Sequence, residues 1–346
     1  MRFGILASHQ YERHDDLRQR LRELFELSEV AAAAGYDSIW AINHFLANLE
    51  TPQVISMTAS LLQHSGTMTV GTAITLLPFY NPVHIAEEFA TLDQLSGGRI
   101  VLGVGSGYRK VEFQNMGVSM EDRGAKLSES VRLIRALWSC DVVDFEGTFY
   151  SVHGARIGVS PLRTGGPPIY IGGGSRPAVR RAARLGDAWL APGNSPLPNY
   201  LRNALSLHDE ALAEAGRSRE GRDYPVMLEV YCAETTEQAR SEASRYVQHE
   251  FETYGQYEEI AWQKERMEEL FSHTFVLGDP DVVATRVAQM RALGFNHFIF
   301  RPFWLGMPHA LSRRSVELIA KEVMPRFRDA APAGAAVQEV GAGGGQ

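Results

Sequence analysis

Four stretches of the chain carry side chains whose types and spacing could do chemistry. "WAINHF" (40–45) sets Asn43 and His44 just after a short apolar run, and "VLGVGSGY" (101–108) ends another such run in Gly105, Ser106 and Gly107. "IYIGGGSRPA" (169–178) carries Gly173, Gly174 and Ser175 into a segment with Pro177, and "RPFWLGMPH" (301–309) is an aromatic loop. An imidazole titrates near neutral pH and can take or give a proton. A glycine turn lets backbone approach a ligand closely. In the third stretch a glycine loop, a hydroxyl and a helix-starting proline line up for a phosphate at a helix N-terminus. Each has a plainer reading beside it. His44 also serves as a loop histidine satisfied by backbone or water, and the glycines around Ser106 as a mere turn. Arg123 and Arg176 are cations for an anion or solvated surface residues. Phe303 and Trp304 line an apolar pocket or pack the core.

Residues this far apart act together only if the fold gathers them. Strand-like runs at 2–7, 37–42, 68–76, 99–105, 168–174, 187–191, 225–233 and 296–302 alternate with helix-like stretches. Those stretches are 17–35, 53–66, 82–98, 125–138, 176–186, 199–216, 280–294 and 313–327, with a long helical segment after strand seven. "TFVLGDP" (274–280) reads as a turn, and 142–161 as a hairpin inserted between units. Eight strand–helix units predict an α/β fold, a (β/α)₈ TIM barrel with an inserted hairpin and a lid. A doubly wound sheet also alternates, but no full G-x-G-x-x-G follows strand one. A barrel would place His44, Ile74, Ser106 and Ser175 at one mouth, where strand C-termini present function. Small residues in "TAITL" (72–76) would leave room there for a flat ring. The barrel is expected over 1–328, and the Ala/Gly-rich tail 329–346 is expected to be disordered.

Composition narrows the function classes. The net charge of −7 and the lack of a basic stripe argue against nucleic acid as a partner. There is no signal-peptide pattern and no run near the ~18 apolar residues of a membrane span, so a cytoplasmic protein is expected. Cys140 and Cys232 stand alone, and no HExxH or carboxylate cluster points to a metal. No G-x-S-x-G elbow points to hydrolysis. A phosphate site therefore implies a cofactor or a phosphorylated substrate.

Taken in order, "GYDSIWAINHF", "GTAITLLPFYNPVHIAEEFATLDQLSGGRIVLGVGSGY", "EFQNMGVSMEDR", "PPIYIGGGSRPAVRRAARLGDAWL" and "GMPHA…SVELIAKEVMPRF" resemble the bacterial luciferase-like flavin monooxygenase family. The resemblance implies a TIM barrel binding FMN, or in a related branch a deazaflavin. By position, His44 matches the histidine beside the reacting flavin edge. Ala73 and Ile74 match a non-prolyl cis peptide backing the ring, while Ser106, Arg123, Gly173, Gly174 and Ser175 match the phosphate and ribityl contacts. The activity so implied is a two-component monooxygenase. Reduced FMN from a separate flavin reductase would react with dioxygen to a flavin C4a-peroxide and oxygenate a small organic substrate. Phe303 and Trp304 would shape the substrate pocket, and a homodimer is the expected assembly. Two departures stand out. Ser106 replaces an arginine of luciferase itself, and Tyr108 stands where deazaflavin sugar dehydrogenases carry an acidic proton acceptor. Asn43, where the deazaflavin branch often has an acid, tilts the expectation to FMN. A deazaflavin-dependent oxidoreductase and a non-catalytic flavin-binding subunit remain the alternatives.

Overall fold

Eight short parallel strands pair in chain order until the last meets the first. A computed structural model describes residues 1–195 and 199–328; the tail expected to be disordered lies outside the described residues. The strands are β1 (Arg2–Ala7), β2 (Ser38–Ala41), β3 (Thr69–Thr72), β4 (Ile100–Gly105), β5 (Ile169–Gly172), β6 (Ala188–Pro192), β7 (Pro225–Cys232) and β8 (His297–Arg301). Closure is visible in the register: Ala191 pairs Val226, Val226 pairs Phe298, and Phe298 pairs Phe3. The ring is a TIM barrel.

Around it run α1 (Leu17–Ala33), α2 (Val54–His64), α3 (Pro82–Ser96), α4 (Lys110–Met116), α5 (Arg123–Ser139), α6 (Arg176–Leu185) and α7 (Tyr200–Glu214). They are followed by α8 (Thr236–Tyr254), α9 (Trp262–Glu265), α10 (Met267–His273), α11 (Pro280–Leu293) and α12 (His309–Leu318). Helix starts are written locally: Asp16, Asn81, Ser175 and Asp279 each cap a first-turn N–H, three of them followed within two residues by proline.

The strands are buried on both faces, as parallel strands under helices must be. One face, with Phe3, Ile39, Val70 and Leu102, meets the helical shell. The other, with Leu6, Trp40, Val101, Tyr170, Leu190 and Ile299, fills the barrel. At the N-terminal floor Trp40 Nε1–H donates to Ser38 Oγ at 2.8 Å, and Ser38 Oγ meets His297 Nε2 at 2.7 Å. His297 Nδ1–H in turn donates to Asp223 at 3.0 Å, so burial can hold this imidazole neutral, with its pKa far below the ordinary value.

The structure departs from the sequence reading in five places. The run expected as one third strand is broken: β3 stops at Thr72, the Ala73–Ile74 peptide is cis, and Thr75–Leu76 resumes against Val104 and Gly105. Helix α4 had no expected counterpart. The long segment after β7 is three helices, because Gly255 and the Glu258–Ile260 3-10 turn interrupt it. Within the expected turn "TFVLGDP", Val276–Gly278 forms a short strand beside β7. The last helix starts earlier, at His309, and loosens into a π-helical turn at Ile319–Val323. Helices α8 to α10 form a roof with its own core of Val247, Phe251, Leu270, Phe275 and Trp304. No described helix is long and apolar enough to cross a membrane.

Trp40 fits the barrel only because β3 offers no side chain at Gly71, where a Cβ would lie 2.3 Å from the indole Cζ3. Gly71→Ala should therefore overpack the interior and cost roughly 1–3 kcal/mol. The check is a lower urea midpoint at unchanged m-value; an unchanged midpoint would show that the indole has room to move.

Candidate active site

The mouth is assembled by loops that tie one strand end to the next. Asn43 Oδ1 accepts Leu76 N–H at 3.1 Å and the Tyr80 hydroxyl at 3.3 Å, fastening the loop after β2 to the chain beyond the cis peptide. Asn43 thus builds the rim. Ile74 lies across the ends of β4 and β5. A Cβ on Gly105 would sit 1.8 Å from Ile74 Cδ1, and one on Gly172 would sit 3.0 Å from its Cγ2. Ala73 and Ile74 stay half-buried, an apolar shelf facing the opening. Ser106 follows Gly105, and Gly173 follows Gly172. His44, Ile74, Ser106 and Ser175 therefore occupy one end of the barrel.

His44 is held by a residue that the sequence reading did not single out. Its Nδ1 lies 3.2 Å from Glu112 Oε1 on α4. A carboxylate only accepts, so Nδ1 carries the proton and Nε2 is left as the basic nitrogen. The same Oε1 accepts Phe45 N–H at 2.9 Å and meets Arg109 Nη1 at 3.4 Å. Glu112 and Arg109 are both buried, and the Arg109 guanidinium lies 3.8 Å over the Tyr257 ring. Lys110 N–H donates to Glu259 and its ammonium pairs with Glu258, so α4 also fastens the roof. The only sequence signal for Glu112 is a charged residue in a short helical "RKVEFQNM", which resembles any surface helix.

Aromatic rings close around the imidazole. His44 makes edge contacts with Tyr108 at 5.9 Å and Tyr254 at 6.1 Å between centroids. Burial pushes the pKa of both phenols up, so each is a donor and neither is a base near neutral pH. Phe303 and Trp304 lie in a neighbouring crevice with Tyr11, Leu24, Leu27 and Met307, and Trp304 Nε1–H donates to Glu229 at 2.9 Å.

The glycine loop at 172–175 turns its carbonyls inward. Trp189 Nε1–H donates to Gly173 O at 2.9 Å, and the Tyr200 hydroxyl to Gly174 O at 3.2 Å. Ser175 Oγ caps Ala178 N–H at 3.4 Å, and a Cβ on Gly174 would lie 2.4 Å from the Tyr200 hydroxyl. In the first turn of α6, Pro177 has no N–H, Ala178 N–H is taken by Ser175 Oγ and Val179 N–H by Ser175 O, which leaves the Arg176 N–H open to a ligand. Arg123 and Arg181 add positive charge at the start of α5, where burial and then the nearby Arg123 lower the pKa of Arg181. The half-buried Ala73–Ile74 shelf and the glycine loop at 172–175 therefore lie at the same end of the barrel. Among the described residues no group of three or more potential ligands could hold a metal.

The sequence model of the luciferase-like monooxygenase family matches residues 1–297. An F420-dependent glucose-6-phosphate dehydrogenase of Rhodococcus erythropolis is 32% identical over 326 residues, covering 89% of this chain and 94% of that protein. Its namesake from Mycobacterium tuberculosis is 30% identical over 324 residues, with the same coverage. Among solved structures, a monooxygenase from Streptomyces bottropensis superposes with a TM-score of 0.83 at 22% identity, over 94% of this chain and all of that one. An F420-dependent secondary alcohol dehydrogenase superposes at 0.77 and 21%, over 95% and 99%. At such identities these two establish the fold alone.

The relatives overturn the expected FMN cofactor, and with it the two-component monooxygenase, its flavin reductase and its flavin peroxide. They are F420-dependent dehydrogenases over nine-tenths of the chain. The physical reason for the misreading is that a glycine loop and a small-residue strand end match features common to flavin and deazaflavin sites and do not tell the two apart. Asn43, which tilted the expectation to FMN, is occupied with Leu76 and Tyr80.

Buried histidines, His9 and His208 together with His297, make this architecture sensitive to acid. Burial lowers His9, in the loop after β1, and His208, on the buried face of α7, from the ordinary 6.5 to about 4. Unfolding between those values takes up protons, so their contribution is complete above pH 6.5 and is lost as pH falls towards 4. Stability should drop by up to ~1.4 kcal/mol per pH unit for each histidine in that window. Denaturant midpoints from pH 7 to 4.5 check this, and a level profile would refute it.

Proposed function

Because the chain belongs to the luciferase-like monooxygenase family and its relatives at 30% identity and above are F420-dependent dehydrogenases, we propose that it is an F420-dependent oxidoreductase acting on an alcohol or its carbonyl. The observation that supports this most is the orientation of His44, whose Nδ1–H is taken by buried Glu112 so that Nε2 is the proton acceptor. Bound F420 would supply a two-electron hydride acceptor. Ala73 and Ile74 would carry its ring, and Ser106, Arg123, Gly173, Gly174 and Ser175 its anionic arm.

The chain's own part is proton management and exclusion of water. With hydride acceptance so supplied, His44 Nε2 would take the carbinol hydroxyl proton as the carbonyl forms. Glu112, through its contact with Nδ1, would keep the ring oriented while Nε2 takes up the proton. In the reverse direction the imidazolium returns the proton to the carbonyl oxygen. Tyr108 and Tyr254, neutral and packed on the imidazole, keep solvent away from it.

General acid–base catalysis contributes ~10²–10⁴-fold, whereas one hydrogen bond to a cofactor is worth only about 1 kcal/mol. His44→Ala should therefore lose hydride transfer by that factor while holding F420 within about tenfold of wild-type affinity. Fluorescence titration with F420 and FMN, followed by single-turnover reduction, is the measurement. Tighter binding of FMN than of F420 would sink the reading. Wild-type turnover by the alanine variant would reduce His44 to a loop residue.

A further inference from the structure

Between the barrel mouth and the roof lies a cavity of about 130 Å³. Its polar lining is Ser8 and Gln10 after β1, Asn194 after β6, Arg301 at the end of β8, and Glu250 and Gln263 from the roof. Tyr108 and Tyr254, the two rings that touch His44, line it too, so the cavity opens beside the candidate proton acceptor.

The charges of this cavity are already allocated. Arg301 is the one cation among its described lining residues. The guanidinium pairs with Glu250 and lies 3.7 Å from Glu229 Oε1. Both acids are fixed from behind. Trp304 Nε1–H donates to Glu229 Oε2 at 2.9 Å, and Leu305 N–H donates to Glu250 Oε2 at 3.0 Å. One guanidinium between two carboxylates leaves the group with an excess negative charge, and Glu250 is only 2% exposed. The next cation, Arg109, is committed to Glu112, to the Tyr257 ring and to the carbonyls of Phe45 and Leu46. An anionic ligand brought here would meet like charge in a poorly solvated place. Neutral hydrogen-bonding capacity is, by contrast, still open. Ser8 Oγ and Arg301 Nε are buried with no protein partner among the described residues, and the Asn194 and Gln263 amides share the lining. Hydroxyl groups satisfy such groups without adding charge.

We propose that this cavity is the substrate site and that it selects an uncharged, hydroxylated molecule and rejects a phosphorylated one, because Arg301 is held between Glu229 and Glu250. The inference rests on the oxidoreductase reading for the site it describes, but the pocket's charge preference is measured separately from cofactor binding. The Glu229–Arg301–Glu250 group is a specificity determinant and not part of the proton transfer.

The test uses the full chain, with F420 affinity measured first and sugar binding then followed by titration calorimetry with glucose and with glucose 6-phosphate. Wild type should bind glucose 6-phosphate at least tenfold more weakly than glucose. Glu229→Gln and Glu250→Gln, each freeing part of the guanidinium while keeping an oxygen for its N–H donor, should shift that ratio at least tenfold towards the phosphate ester. Measurable glucose 6-phosphate binding in either variant alone, with none in wild type, supports the same conclusion. Equal or tighter binding of the phosphate ester by wild type overturns the inference. A ratio unchanged in both variants overturns it, and so does binding of neither sugar to any of the three proteins. Failure of F420 to bind overturns the oxidoreductase reading instead, and the sugar titration still judges the pocket.

Discussion

One buried carboxylate, Glu112, orders the working end of this barrel. Its Oε1 receives the His44 imidazole, the Phe45 N–H and the Arg109 guanidinium, and so joins the loop after β2 to α4. A charge taken out of water persists only with partners of this kind. Because the partners converge on one oxygen, the imidazole has a defined tautomer and the loop a defined path. Arg109 then carries the constraint upward, through Tyr257, to the roof.

The roof divides the mouth into two electrostatic territories. On the β3 to β5 side, Ile74 lies over strand ends without side chains, and Arg123 and Arg181 stand close together by the start of α5. That side suits a flat ring and an anionic arm. On the β1 and β8 side, Glu229 and Glu250 enclose Arg301, and the remaining lining is neutral and polar. His44 stands at the boundary. A chain with net charge −7 draws anions to a site by local arrangement alone, and here the arrangement differs sharply between the two sides.

The cofactor is where reading residue types went astray, for a chemical reason. Flavin and deazaflavin share a tricyclic shape and an anionic arm, and neither the residues at 73–74 nor the loop at 172–175 tells one from the other. Nothing in glycine spacing encodes the atoms that distinguish them. Asn43 carried the choice towards FMN, yet in the folded chain its oxygen braces Leu76 and Tyr80 and the residue belongs to the scaffold. Relatives sharing about a third of the sequence discriminate where local motifs do not.

The sequence by itself determined the alternation of strands and helices, the helix start after Ser175, and the histidine and glycine turns at the ends of β2, β4 and β5. These are local properties: an apolar period, a capping side chain and a glycine turn act within a few residues of themselves. Only the tertiary structure decided which distant groups meet. Glu112 reaches His44 across 68 positions, Arg301 reaches Glu250 across 51, and Trp40 needs the empty place at Gly71. Such pairings follow from barrel closure and from the burial of charge, and both depend on where the whole chain lies, not on any one segment of it.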